Sequence, residues 1–249
     1  MLADADTTED AVLGGRLVLR QPKRGHRFGH DAILLAAAVD ARPGEIAVDL
    51  GAGVGTAGLA LAHRVPGLEV RLVEVDGALA DLARENAARN KLSDRVSVAM
   101  MDVAAVPGAF TSHGMTGVHH VLMNPPFNDP AHNASPDAAR RLAHVASANS
   151  LAAWADCAAA LLAARGTLTL VWRAAGLSDV LGALAGFGGI TILPIHPKPS
   201  AAAIRVLVRA VKGSGAPLVL LPPLMLNSAD GAPSTEAEAI LRGGMPLAM

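Results

Sequence analysis

The 249-residue sequence has one cysteine, no tyrosine and no uninterrupted apolar run long enough to cross a membrane. A lone thiol, Cys157, forms no internal disulfide and no cysteine-based metal cluster. Within its alanine-rich stretch it reads as a small buried residue. The mean hydropathy of +0.37 comes from alanine rather than from a spanning segment. Val180 to Ile195 is broken by four glycines and a proline, and Gly213 to Ala229 by three prolines. A membrane helix needs about 20 predominantly apolar residues. The N-terminus carries Asp4, Asp6, Glu9 and Asp10 where an export signal would be basic and then apolar, so the expected location is the cytoplasm. His119, His120, His144 and His196 lack metal-ligand spacing with acids or cysteine, so hydrogen-bonded structural histidines and no metal are expected.

What is present suffices for one substantial core, since 51% of the residues are hydrophobic. A single domain over 1–249 is expected: a basic segment and cap helix over 1–40, a catalytic core over 41–212 and a tail over 213–249. The net charge of -1 conceals two basic clusters. Arg16, Arg20, Lys23, Arg24 and Arg27 lie in residues 11–30, and Lys198, Arg205, Arg209 and Lys212 in residues 198–212, with no acid in either. Such clusters either track a phosphate backbone or form solvated surface.

Short β-rich runs alternate with helical stretches between residues 45 and 210, the pattern of a mostly parallel sheet covered on both faces. The expected strands are Ile46 to Leu50, Val70 to Glu74, Val96 to Met101, Val118 to Met123, Thr167 to Trp172, Ile190 to Ile195 and Ile204 to Val208. Helices are expected from Thr56, from Gly77 to Asn90, and from Leu151 to Arg165, stopping at Gly166. Pro194, Pro197 and Pro199 leave room only for a turn between the last two strands, which makes them an antiparallel hairpin. Asp31 is placed to cap a helix through Ile33 to Val39, and Thr235 with Glu238 to form a capping box before Ile240 and Leu241. Seven strands with that ending match, by analogy, a Rossmann-like class I methyltransferase sheet with an antiparallel final strand.

The run Asp49-Leu50-Gly51-Ala52-Gly53-Val54-Gly55 follows a buried strand and opens a helix, where glycines allow a ligand close to the backbone. A nicotinamide-dependent oxidoreductase would satisfy this loop too, with Glu74 about 20 residues on. Asp49 suits the cationic methionine end of S-adenosylmethionine and would repel a pyrophosphate. Glu74 can accept from two ribose hydroxyls and Asp102 from an adenine amino group. Val75 and Val103, the neighbours of those two acids, join the cofactor-binding set. Individually these acids also read as helix caps or turn formers, Asp76 and Glu74 among them.

Asn124-Pro125-Pro126-Phe127 follows the fourth expected strand. Two prolines fix φ and remove two backbone donors, leaving a wall of acceptors beside the Asn124 side-chain oxygen. Phe127 offers a flat face on which a base can stack. An exocyclic amine is a poor nucleophile until its N–H bonds are held and polarised, and Asn124 with the Pro125 carbonyl would take those two hydrogens. The other reading is an ordinary turn with Phe127 in the core.

These motifs resemble the amino-methyltransferase branch of class I enzymes. Gly25-His26-Arg27-Phe28-Gly29-His30-Asp31-Ala32, with Pro197-Lys198 and Ile204-Arg205-Val206-Leu207, is similar to the tRNA (adenine-N(6))-methyltransferase family, which modifies the adenine beside the anticodon of a valine tRNA. The resemblance covers most of residues 12 to 245. It implies catalytic residues Asn124, Pro125, Pro126 and Phe127. It also implies a cofactor site of Asp49, Gly51, Ala52, Gly53, Gly55, Glu74, Val75, Asp102, Val103 and Asn124, closed over the methionine end by Phe28 to Asp31. An RNA partner, expected to be tRNA, follows. Guanine N(2) of ribosomal RNA and a protein glutamine amide are the alternative acceptors. Two features depart from the family: His119 stands where an aspartate is common, and aromatics at 2% leave few stacking partners beyond Phe127. The loop from Asn128 to Ala148, with Arg140 and Arg141, is expected to gate the substrate. Arg205 and Arg209 share one face of the last strand and are expected on an RNA-facing rim.

Overall fold

A computed structural model describes residues 6–24, 29–112, 117–126 and 150–249. Strands β3 (Ile46–Leu50), β4 (Glu69–Glu74), β5 (Val96–Met100), β6 (Val118–Met123), β7 (Leu162–Arg173), β8 (Phe187–His196) and β9 (Arg205–Lys212) form the sheet expected from the alternation. With the short tail strands β10 (Val219–Leu220) and β11 (Leu224–Met225) it has, among the described residues, nine strands rather than the expected seven, in the order β10-β8-β9-β7-β6-β3-β4-β5, with β11 also beside β8. Strand β9 runs antiparallel to both β7 and β8, while β3 to β7 pair in parallel. This is the class I methyltransferase arrangement. It brings the carboxyl ends of β3, β4, β5 and β6 to one edge, where open α/β sheets bind ligands.

Helices cover both faces. On one lie α1 (His30–Ala38), α2 (Thr56–Arg64) and α3 (Gly77–Arg89). On the other lie α4 (Val106–Ser112), α5 (Ser150–Leu161) and α6 (Leu177–Ala183). Each face has its own apolar cluster, built on Leu34, Leu35, Leu59 and Leu72 on the first side and on Val121, Met123, Leu168 and Val208 on the second. The end carbonyls of α1 and α2 are closed by cations. Arg64 donates to the carbonyls of Ala36 and Val39, and Arg95 to those of Ala62 and Val65.

Several expectations need correction. The basic N-terminal segment contains an antiparallel hairpin, β1 (Thr7–Val12) with β2 (Leu17–Pro22), whose Leu17 and Leu19 are fully buried. Two of its basic residues serve docking: Arg20 donates to Glu85 of α3 at 2.7 Å while bracing Thr7 within the hairpin at 2.7 Å, and Arg16 donates to the Gly243 carbonyl at 2.5 Å. Helix α5 stops at Leu161, four residues before Arg165, because Leu162 already pairs with Val118 and the chain then bulges before Thr167 pairs with His120. Arg165 takes a left-handed φ of 67° in that bulge. Helix α1 begins one residue before Asp31, with Gly29 as its cap, so Asp31 sits in the first turn. The tail helix α7 (Thr235–Leu241) is capped by Ser234, whose hydroxyl accepts from the Ala237 N–H at 3.0 Å, one position ahead of the expected box.

Candidate functional site

The ligand edge is built around three left-handed glycines after β3. Gly51, Gly53 and Gly55 have φ of 67°, 58° and 89°, a region L side chains rarely adopt. The Ala52 N–H donates to the Val73 carbonyl at 2.9 Å, which folds the loop back over β4, and the Gly55 N–H closes onto the Ala52 carbonyl at 2.8 Å. A methyl group on Gly51 would lie 2.5 Å from Trp154 of α5. Trp154 therefore walls the loop from the opposite face of the sheet. Nothing in the apolar pattern of α5 singles it out, because its proximity to Gly51 arises only when α5 packs on β6.

The carboxylates of the loop region are engaged with backbone amides. Asp49, 2% exposed, accepts the Gly58 N–H at 2.8 Å and so ties β3 to the first turn of α2. Burial pushes its carboxyl up to about 7, the Gly58 N–H opposing that rise and the charge of Glu74 adding to it. Glu74 uses one oxygen for the Gly53 N–H at 2.7 Å and the other for the Asp76 N–H at 2.9 Å. Each oxygen retains a second lone pair, so the group still accepts hydroxyl hydrogens while it holds the loop. Asp76 caps α3 through the Ala78 and Leu79 N–H groups, whereas Glu74 does not cap it. Asp102 is exposed and accepts from the Ala104 N–H at 2.8 Å, turning the chain after β5. Between these acids Val75 and Met100 are 53% and 59% exposed. Together with half-buried Val103 they give the carboxyl ends of β4 and β5 an apolar surface. Met100, beside Gly77 at the start of α3, is a contributor that sequence reasoning missed.

Asn124, half-buried, is the first residue past β6, and Pro125 behind it is buried. Leu50 pairs with Met123, so Asn124 and Gly51 each lie one step beyond a paired position on adjacent strands. The register thus sets the Asn-Pro-Pro turn beside the glycine loop. Phe127, Phe28, Arg27 and the expected gate from Asn128 to Ala148, with Arg140, Arg141 and His144, lie outside the described residues.

Asp31 reaches the ligand edge in an ion pair, its Oδ2 2.8 Å from Arg205 Nε. Arg205 opens β9, which runs antiparallel, so its position falls at the carboxyl edge. Arg209 is paired with Thr169 and Thr191 in the middle of the sheet, about 13 Å further along at ~3.3 Å per residue. The two arginines share a face as expected, but only Arg205 lies at the carboxyl edge. Three of the four histidines weighed as metal ligands are hydrogen-bonded: His119 accepts from the Ile46 N–H at 3.1 Å, His120 bridges Thr167 and Glu45 at 2.8 Å each, and His196 contacts the Ala201 carbonyl at 2.7 Å. Among the described residues no group of three or more His, Cys, Asp or Glu could hold a metal ion, and no helix is long and apolar enough to cross a membrane.

Residues 27–186 match the family model described as methyltransferase small domain. The chain belongs to this family. Its relatives include a tRNA1(Val) (adenine(37)-N6)-methyltransferase of Aeromonas hydrophila, 30% identical over 82% of this chain and 84% of that one. Another, of the same description from Porphyromonas gingivalis, is 33% identical over 62% of this chain and spans 61% of that relative's length. A solved structure from Agrobacterium tumefaciens, described as a predicted O-methyltransferase, is 30% identical. It covers 88% of this chain and 99% of its own, with a TM-score of 0.73.

Proposed function

We propose that this protein is an S-adenosylmethionine-dependent N-methyltransferase acting on the exocyclic amino group of adenine in RNA, with a tRNA as substrate in the cytoplasm. The observation that carries the reading is the Asn124-Pro125-Pro126 turn one register step from the left-handed glycine loop. The residues at the edge fit the donor. Gly51, Ala52, Gly53 and Gly55 leave backbone open to a close ligand, Glu74 has lone pairs for ribose hydroxyls, and Val75 and Val103 flank the base. Asp102 accepts from its amino group, and Asp49 with Phe28 and Asp31 serves the methionine end. Bound there, S-adenosylmethionine supplies an electrophilic methyl group on a cationic sulfur.

The chain's own part is to hold the acceptor. Asn124 Oδ1 and the Pro125 carbonyl take the two amino hydrogens, which draws the nitrogen lone pair out of the ring and leaves it as the nucleophile. Neither proline offers a competing N–H. Phe127 stacks on the extruded base, whose unstacking from structured RNA costs a few kcal/mol. No strong general base is needed, because the amine loses its proton after it has gained positive charge. The description of the Agrobacterium relative favours a second reading, methylation of a hydroxyl. A hydroxyl presents one hydrogen, whereas an amino group engages both acceptors.

Total RNA from a strain lacking the protein, incubated with radiolabelled S-adenosylmethionine and digested to nucleosides, tests the assignment. Label in N(6)-methyladenosine is expected. Label in guanosine, at a ribose hydroxyl, or only in protein overturns it. Asn124→Ala is expected to abolish transfer while cofactor binding stays within a few fold.

A further inference from the structure

Among the described residues no third strand lies against the outer edge of β2. Val18 and Arg20, flanking the buried Leu19, turn their amide and carbonyl groups out of the hairpin, and two asparagines of the α3 region receive them. Asn90 accepts from the Val18 N–H at 3.0 Å and donates to the Val18 carbonyl at 2.9 Å. Asn86 accepts from the Arg20 N–H at 2.7 Å and donates to the Arg20 carbonyl at 2.9 Å. A carboxamide offers the same donor and acceptor pair as a peptide group. The spacing also matches, since two strand residues span about 6.6 Å and four helical residues about 6.0 Å. The helix thus stands in for a missing strand.

Asn86 does one thing more than Asn90. It is fully buried, and its Nδ2 also donates to the Val54 carbonyl at 3.0 Å, inside the glycine loop. The extra bond of Asn90 goes to the Asn86 carbonyl, within the helix. In the loop, Glu74 holds the Gly53 N–H and the Ala52 carbonyl holds the Gly55 N–H. The Val54 carbonyl, between them, is held from the hairpin side of α3. We propose that Asn86 is a positioning residue that fixes the glycine loop for its nucleoside ligand and couples ligand binding to docking of the β1–β2 hairpin. The inference rests on the reading of that loop as the S-adenosylmethionine site. Coupling of this kind is reciprocal: a ligand that firms the loop also firms the hairpin.

Asn86→Asp and Asn90→Asp form a matched pair. Each keeps the acceptor for one β2 amide and turns an oxygen against two carbonyls, but only the first disturbs Val54. S-adenosylhomocysteine binding is measured by titration calorimetry, and exchange of the Val18 and Arg20 amides by hydrogen–deuterium exchange with and without that ligand. Asn86→Asp is expected to weaken binding by about tenfold more than Asn90→Asp, the size of one lost hydrogen bond to a buried carbonyl. In the unaltered protein the ligand is expected to slow exchange at Val18 and Arg20 several-fold, an arm that needs no variant to fold. Equal weakening by the two variants, or exchange unmoved by the ligand, overturns the role of Asn86 alone. Failure of the unaltered protein to bind S-adenosylhomocysteine overturns the cofactor reading and the coupling with it.

Discussion

Replacing Asp49 with asparagine isolates the electrostatic cost of the glycine loop. The carboxyl is 2% exposed and pushed up from 3.8 to about 7, first by burial, with Glu74 adding to the rise and the Gly58 N–H opposing it. In the unfolded chain the group titrates near its ordinary value. Between about pH 4 and 7 the folded protein therefore keeps a proton that the unfolded chain has released, and stability falls as pH rises through that window. At about 1.36 kcal/mol per pH unit, the gap between 3.8 and about 7 amounts to about 4 kcal/mol once pH exceeds 7. Asparagine keeps an oxygen for the Gly58 N–H and removes the charge. The ligand-free variant is thus expected to be more stable than the parent at pH 8 by about 2–4 kcal/mol, and close to it near pH 4. In a chain of this size that corresponds to a Tm higher by about 5–15 °C at pH 8. On the proposed function the same change is expected to weaken S-adenosylmethionine binding, since it removes an anion from the proposed methionine end of the site. Urea unfolding at pH 5 and 8, with calorimetric titration of the ligand, provides the measurement. A variant less stable than the parent at pH 8, or a difference that does not change with pH, refutes the reasoning.

Three further outcomes are expected. Gly58→Ala would gain roughly 1 kcal/mol of helix propensity, but its methyl would lie 2.3 Å from Leu72 and 3.1 Å from Asp49. Overpacking is expected to win, with a net loss of about 1–3 kcal/mol in urea unfolding. Cys157 is 4% exposed and burial pushes its thiol up to about 12, so labelling by a disulfide reagent at pH 8 is expected only on unfolding, at a rate that rises with urea. Burial holds His120 below its ordinary value; burial raises Glu45, but its hydrogen bonds to His120 and the Arg42 amide, with the nearby histidine charge, outweigh that and hold it below its own, so both contribute stability that is lost as pH falls through the folded values. His120→Leu is expected to flatten the acid limb of stability below about pH 6.5, and parallel limbs in the two proteins would exclude the pair as its source.

The chain order of apolar runs, glycines and prolines made the core legible. Val118–Met123 and Ile46–Leu50 emerge with the expected bounds because each is a short, mostly apolar run closed by glycine or polar residues at both ends, although His119, His120 and Asp49 interrupt them. The proline-rich turn likewise forecast the antiparallel pairing of β8 and β9. Helices α4 and α6, of seven residues each, were not legible, since two turns carry too little periodicity. The first hairpin was hidden because its outer edge is satisfied by asparagines 66 and 72 residues away, which no local pattern announces.

By itself the sequence determined the chemistry available at the ligand edge: the glycines, the three acids and the Asn-Pro-Pro turn, all local in the chain and placed by strand ends. Only the tertiary structure decided how those groups are engaged. Asp49 and Glu74 hold backbone amides, Trp154 and Met100 flank the candidate site, Arg209 is kept from the carboxyl edge by the direction of β9, and Asn86 joins the loop to the hairpin. Each depends on distances between elements, and packing sets those distances while spacing along the chain does not.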